Sequence, residues 1–214
     1  MDSSNPETKP SRKELERLRR RTDILIAARE LFIAKGFANA TLEEVAQSAE
    51  FSKGTIYNYF ENKEELLWGM IEQFLEESVA LAVRIFEEGE GFARDKFRAY
   101  ALAVILSGQE HEFFHMLMKE GHILEASNSK ERLQVLSGKI RKIWEVIARV
   151  ISIEIESGRF RQGDALQLAG LFDLMVRTFG VGAQKKEFPI SLGSPEEAVA
   201  LIVANFFDGV AKHT

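Results

Sequence analysis

Apolar residues recur every three or four positions through most of this chain, with polar residues between them, so the pattern predicts helices almost throughout. A first helix is predicted over residues 11–35. Leu15, Leu18, Leu25, Ala28, Leu31 and Phe32 share one face, Ser11 and Glu14 have the spacing of a capping box, and Gly36 suits the residue that ends it. A short second helix over 42–49 would be capped by Thr41, with Glu44 reaching back to the cap and Leu42, Val45, Ala46 and Ala49 as its buried stripe. Glu50 and Phe51 make a turn, and Ser52 caps a third helix anchored by Ile56 and Phe60. Asn62 and Glu65 start a fourth, whose stripe runs from Leu66 through Phe74 and Ala82 to Phe86, and Glu88-Gly89-Glu90-Gly91 breaks it. Further helices are predicted over 92–107, 110–120, 129–157, 165–183 (capped by Asp164) and 194–210, where Ser194-Pro195-Glu196-Glu197 is a strong start signal. The fold class is all-α.

Residues 41–60, TLEEVAQSAEFSKGTIYNYF, are the stretch around which the rest is organised. A short helix, a tight turn and a second helix rich in hydroxyls, with a lysine at its start, form the plan of a helix-turn-helix, whose second helix can enter a DNA major groove. From about residue 24 to residue 68 the chain resembles the DNA-binding domain of the tetracycline-repressor (TetR) family of bacterial transcriptional regulators. The residues carrying the likeness are Ala27-Ala28, Leu31-Phe32, Gly36-Phe37, Thr41, Val45-Ala46, Ser52, Gly54-Thr55, Tyr57, Tyr59-Phe60 and Lys63-Glu64.

The resemblance implies a three-helix helix-turn-helix DNA-binding domain over 11–68 and a helical effector-binding and dimerisation domain over 69–214, with 1–10 a disordered tail. It implies that Thr41 meets phosphate, that Lys53, Gly54 and Thr55 face the groove, that Tyr57 touches a base edge or the backbone, and that Tyr59 and Lys63 hold phosphates, the Lys63 ammonium being free to do so; Ser52 and Asn58 complete the DNA-binding set. The family's turn usually carries glycine where this chain has Glu50. If that residue is left-handed, the side chain costs about 1 kcal/mol relative to glycine.

Net charge is −5, which alone argues against a nucleic-acid partner, but its distribution changes the picture. Residues 1–21 hold seven Lys/Arg against four Asp/Glu, a net of +3, while the other 193 residues hold 21 against 29, a net of −8. The cluster Arg17, Arg19, Arg20 and Arg21 therefore reads either as a solvated arm or as one that meets phosphate beside the helix-turn-helix. The absence of cysteine excludes disulfides and thiolate metal sites. With no long uncharged apolar run and no signal-peptide pattern, the expectation is a soluble, cytoplasmic chain without a membrane partner.

His111-Glu112-Phe113-Phe114-His115 matches the H-E-x-x-H zinc signature. His111 and His115 could share a metal on one helix face. His122 lies eleven residues after His111, about 16 Å along a helix, too far to share one metal with it unless the chain folds back at Gly121. No third ligand is placed, so surface or pocket histidines are favoured over a metal-responsive regulator, and an enzyme is disfavoured further. No cofactor is expected.

Phe113, Phe114, Met116, Leu117, Trp144, Phe172 and Met175, all but Leu117 aromatic or methionine, read as core or as an adaptable apolar effector pocket. Leu168, Leu171, Phe179, Leu201, Ile202, Asn205 and Phe206 lie on the last two helices, which in the family form a dimer interface. Together these features point to a homodimeric regulator of double-stranded DNA, a repressor released from a palindromic operator by a small, mainly hydrophobic effector.

Overall fold

Three capping boxes set three of the helix starts. In each, a serine or threonine hydroxyl accepts the N–H of a glutamate three residues on, and that glutamate accepts the cap's own N–H: Ser11 with Glu14, Thr41 with Glu44 and Ser194 with Glu197. The computed structural model describes residues 11–107, 116, 130–180, 182 and 192–211. It divides into two compact units, Met1–Met70 and Ile71–Thr214.

The first unit holds α1 (Arg12–Lys35), α2 (Leu42–Ser48), α3 (Lys53–Tyr57) and the start of α4 (Lys63–Phe86). Ile24, Leu25, Ala28, Phe32, Val45, Ile56, Leu66 and Leu67 make its core. Leu15 and Leu18, expected on the buried face of α1, are exposed, and burial along that helix begins only at Ile24. Gly69 stands in close packing where α4 meets α1. A Cβ there would stand 3.0 Å from the Phe60 ring and 3.1 Å from both Arg21 and Leu25. Glu50 has φ 57°, the left-handed conformation the turn demands. The turn therefore keeps its shape and carries the cost of a side chain.

The second unit contains the rest of α4, then α5 (Ala93–Leu106), α6 (Lys130–Glu156), α7 (Ala165–Leu174) and α8 (Pro195–Val210). Among its described residues the one β feature is an antiparallel bridge between Phe160 and Ala211. The helix expected over 165–183 changes character part-way: after Leu174 the backbone winds as a π-helix over Met175–Gly180. Periodicity does not signal this, because the inward positions stay apolar on both sides of the change. The helix expected over 110–120 lies outside the described residues, apart from buried Met116.

Aromatic rings fill the centre of this unit. Phe97 stacks on Phe206 with centroids 5.5 Å apart and meets Phe172 edge-on at 4.6 Å, and Phe86 packs on Tyr100 at 5.4 Å. α7 crosses α6 closely because residue 170 is glycine: a Cβ there would lie 3.3 Å from the Trp144 ring. Gly180 is tighter still, its missing Cβ falling 2.5 Å from Ile105 Cδ1.

Candidate nucleic-acid interface

The recognition segment is built from a cap, a short helix and two anchors. Ser52 Oγ accepts the Thr55 N–H at 3.1 Å and shares a hydrogen bond with Thr55 Oγ1 at 2.8 Å, which fixes the start of α3. Ile56 and Phe60 are buried and pin the helix to the core, so its remaining positions face outward. Ser52, Lys53, Gly54, Tyr57 and Asn58 are exposed, and Thr55 and Tyr59 are half-buried. The contact residues expected on this segment are thus open or partly open to solvent. Gly54 is informative: the nearest atom to a Cβ placed there is Ser52 Oγ at 3.9 Å, so no contact within the protein calls for glycine. Its effect is to let an outside surface approach the backbone.

Charge on this face is locally paired. Lys53 forms an ion pair with Glu43 and lies 5.7 Å from the Tyr57 ring centre. The hydrogen bond from Lys53 holds the Glu43 carboxyl below its ordinary range, and Glu43 in turn raises the Lys53 ammonium. Both groups are open to water, so the pair is weak and exchangeable for a phosphate. Thr41 is exposed at the start of α2, and its hydroxyl serves Glu44, which also pairs with Lys35.

Lys63 corrects an expectation. Its ammonium is not free: it donates to the carbonyls of Phe37 at 2.9 Å and Ala38 at 3.1 Å and lies 4.9 Å from the Phe37 ring centre. A lysine at a helix N-terminus is disfavoured by the helix dipole, and two carbonyls with a ring face offset that. Lys63 therefore staples α4 to the loop after α1. Within the arginine cluster, Arg20 pairs with Glu16 at 2.9 Å and Arg21 lies over the Phe60 ring at 5.4 Å, while Arg17 and Arg19 are exposed.

The other expected sites fare unevenly. His111, His115, Phe113, Phe114 and Leu117 lie outside the described residues, and among the described residues no group of three His, Asp or Glu could hold a metal. Phe172 is fully buried in the aromatic cluster, whereas Trp144 and Met175 are half-buried. Ile202 and Phe206 pack into the protomer's own core, because the inward stripe of α8 runs Ala198, Val199, Ile202, Val203, Phe206. Leu171, Phe179, Leu201 and Asn205 are exposed, as is Leu174, and Leu168 is half-buried.

One cluster went unread in the sequence. Tyr100 donates to Asp173 Oδ1 at 2.7 Å, Arg177 Nε donates to the same oxygen at 2.9 Å, and Trp144 Nε1 donates to Asp173 Oδ2 at 3.1 Å. Arg177 also donates to the Tyr100 hydroxyl at 3.1 Å and covers the Phe74 ring at 5.6 Å. Tyr100, Asp173 and Arg177 are all buried, and burial pushes the Tyr100 phenol far above its ordinary value. The readable signal was a carboxylate and a guanidinium four residues apart inside an otherwise apolar helix.

Residues 24–68 match the family model "Bacterial regulatory proteins, tetR family". The chain is 30% identical over 149 residues to the HTH-type transcriptional regulator UidR of Escherichia coli strain K12, covering 70% of this chain and 68% of that protein. The chain belongs to the TetR family. It is also 30% identical over 112 residues to the HTH-type transcriptional regulator YuxN of Bacillus subtilis, 52% of this chain but 36% of that longer protein. The fold matches that of a TetR family transcription regulator from Marinobacter aquaeolei VT8 with a TM-score of 0.68 at 18% identity, over 93% of this chain and 99% of that one. This TetR-family member is thus a DNA-binding transcriptional regulator and not an enzyme. No described helix is long and apolar enough to cross a membrane.

Proposed function

We propose that this TetR-family protein is a homodimeric repressor that works in the cytoplasm, occupies a palindromic operator through α3 and is released by a small, mainly hydrophobic effector. The observation that carries the reading is the outward face of α3, small at Gly54 and Thr55 and rimmed by Lys53, Tyr57 and Asn58. Short side chains admit base edges and thymine methyls, and hydroxyls and the lysine suit phosphate oxygens.

The dimer reading is supported by Leu171, Leu174, Phe179 and Leu201, which expose about half of their surface on α7, the π segment and α8. An isologous pairing of this face presents two copies of α3 to two half-sites. α4 begins at Lys63 beside the reader and continues to Phe86 in the second unit. An effector that favours a different setting of α4 lowers operator affinity by that difference alone.

Light scattering combined with a gel shift on DNA upstream of the protein's own gene tests this reading. A dimer that retards the duplex supports it, and a monomer at micromolar concentration overturns it. The metal-responsive alternative rests on His111 and His115, which lie outside the described residues.

A further inference from the structure

Glu43 and Glu44 are neighbouring acids in the first turn of α2, and the protein uses them differently. Glu44 completes the capping box with Thr41 and pairs with Lys35. It already supplies the carboxylate that a helix start favours. Glu43 has no part in the cap. Its carboxylate reaches across to α3 and pairs with Lys53, with more than half of each side chain open to water.

That pair occupies a scarce charge. Lys53 is the one Lys or Arg between residues 36 and 62, a stretch that holds four Asp/Glu. Lys63, the next lysine along the chain, is committed to the carbonyls of Phe37 and Ala38. A phosphate held by charge on α3 therefore depends on Lys53. Lys53 can meet a phosphate either by leaving Glu43 or by drawing two anions together, and both weaken the contact.

We propose that Glu43 is a built-in competitor for DNA phosphate, occupying Lys53 in the free protein and lowering affinity for every duplex whatever its base sequence. This rests on the reading of α3 as the element that meets DNA. A charge contact to phosphate positions a protein without reading bases, so a duplex of arbitrary sequence is enough to reveal the competition. An exposed pair is weak, which places the effect at a few-fold.

The test is a cycle of Glu43→Gln, Lys53→Gln and the double change in the full chain, read by the anisotropy of a labelled duplex of arbitrary sequence in about 50 mM salt. Glu43→Gln should tighten binding by about fivefold with Lys53 in place and by about twofold without it, the smaller gain being plain relief of repulsion between carboxylate and phosphate. Equal gains in both backgrounds would leave only that repulsion and overturn the competitor. Weaker binding by Glu43→Gln would overturn it too, since Glu43 would then be aiming Lys53 at phosphate. Melting midpoints of the variants should stay within about 3 °C of the wild type, as both side chains are exposed. A larger fall in both single variants would make the pair a structural tie and defeat the proposal.

Lys53→Gln by itself tests the reading beneath. It should weaken binding and lower the salt slope by about one, as for one lost phosphate contact. If it changes neither, Lys53 meets no phosphate, and both the competitor and the charged rim of α3 are lost. A lowered slope with no gain from Glu43→Gln defeats the competitor alone.

Discussion

Lys63 Nζ donates to the Phe37 carbonyl at 2.9 Å and sits 4.9 Å from the centre of the same residue's ring. One side chain thus closes the first unit between α4 and the loop after α1, using backbone oxygen and aromatic face together. Replacing it by Lys63→Met keeps the apolar stem and leaves the two carbonyls to water. The expected loss is about 1–2 kcal/mol by urea denaturation, the range for a charge-assisted hydrogen bond and a part-exposed cation–π contact. An unchanged midpoint would show that the staple contributes nothing.

Gly54→Ala separates folding from reading. No protein atom lies closer than 3.9 Å to the added methyl, and alanine is the better helix former by up to about 1 kcal/mol. Stability should hold or rise, while operator affinity falls by about tenfold, or 1.4 kcal/mol. Calorimetry and fluorescence anisotropy on one preparation report both quantities. A fall in stability would mean that the glycine serves the protein and not the DNA.

Asp173→Ala strands Arg177 in the core of the second unit, since Arg177 Nε lies 2.9 Å from the lost carboxylate. Breaking one side of a buried pair costs about 3–5 kcal/mol, more than most single changes. The double change Asp173→Leu with Arg177→Met removes both charges and should recover much of that loss. Thermal melts of the two variants decide it, and equal damage by both would argue against an uncompensated charge as the cause.

Gly180→Ala places a methyl 2.5 Å from Ile105 Cδ1 and 2.8 Å from Ile105 Cγ1, in a region with no slack. Overpacking of this kind costs about 1–3 kcal/mol. The variant should unfold at lower denaturant, and the companion change Ile105→Val should restore part of the loss. No restoration would place the strain in the π backbone instead.

The Thr41–Glu44 box has a pH signature. The hydrogen bond from Lys35, and then that from the Thr41 N–H, hold Glu44 below its ordinary 4.5. A carboxyl lowered on folding contributes stability that is complete above 4.5 and declines as pH falls through the lower folded value. Hydrogen exchange of the α2 amides should therefore quicken below that pH, and Glu44→Gln should flatten the dependence. Exchange that is equally pH-sensitive in Glu44→Gln would assign the effect elsewhere.

Local signals were the most legible part of this chain. Ser11, Thr41, Ser52, Asn62, Asp164 and Ser194 all cap the helices expected of them, because caps act within three residues. Glu50 was readable as strained for the same reason, one position needing one φ. What escaped depends on distant partners. Lys63 looked free because the carbonyls of Phe37 and Ala38 are more than twenty residues away in sequence. Ile202 and Phe206 were expected at a dimer interface, but both are buried within the protomer, Phe206 against the rings of Phe97 and Phe172. The Asp173–Arg177 pair is visible as an oddity in the sequence, but its meaning comes from Tyr100, 73 residues earlier than Asp173.

Selection from a random duplex library by the intact protein tests the central claim most directly. The account predicts enrichment of a sequence with two inverted half-sites about one helical turn or more apart. Tyr57→Ala, changed at an exposed α3 position, should lose that enrichment while keeping the wild-type melting temperature. Enrichment of a single unrepeated site, enrichment that survives Tyr57→Ala, or none at all would contradict a paired reader built on α3.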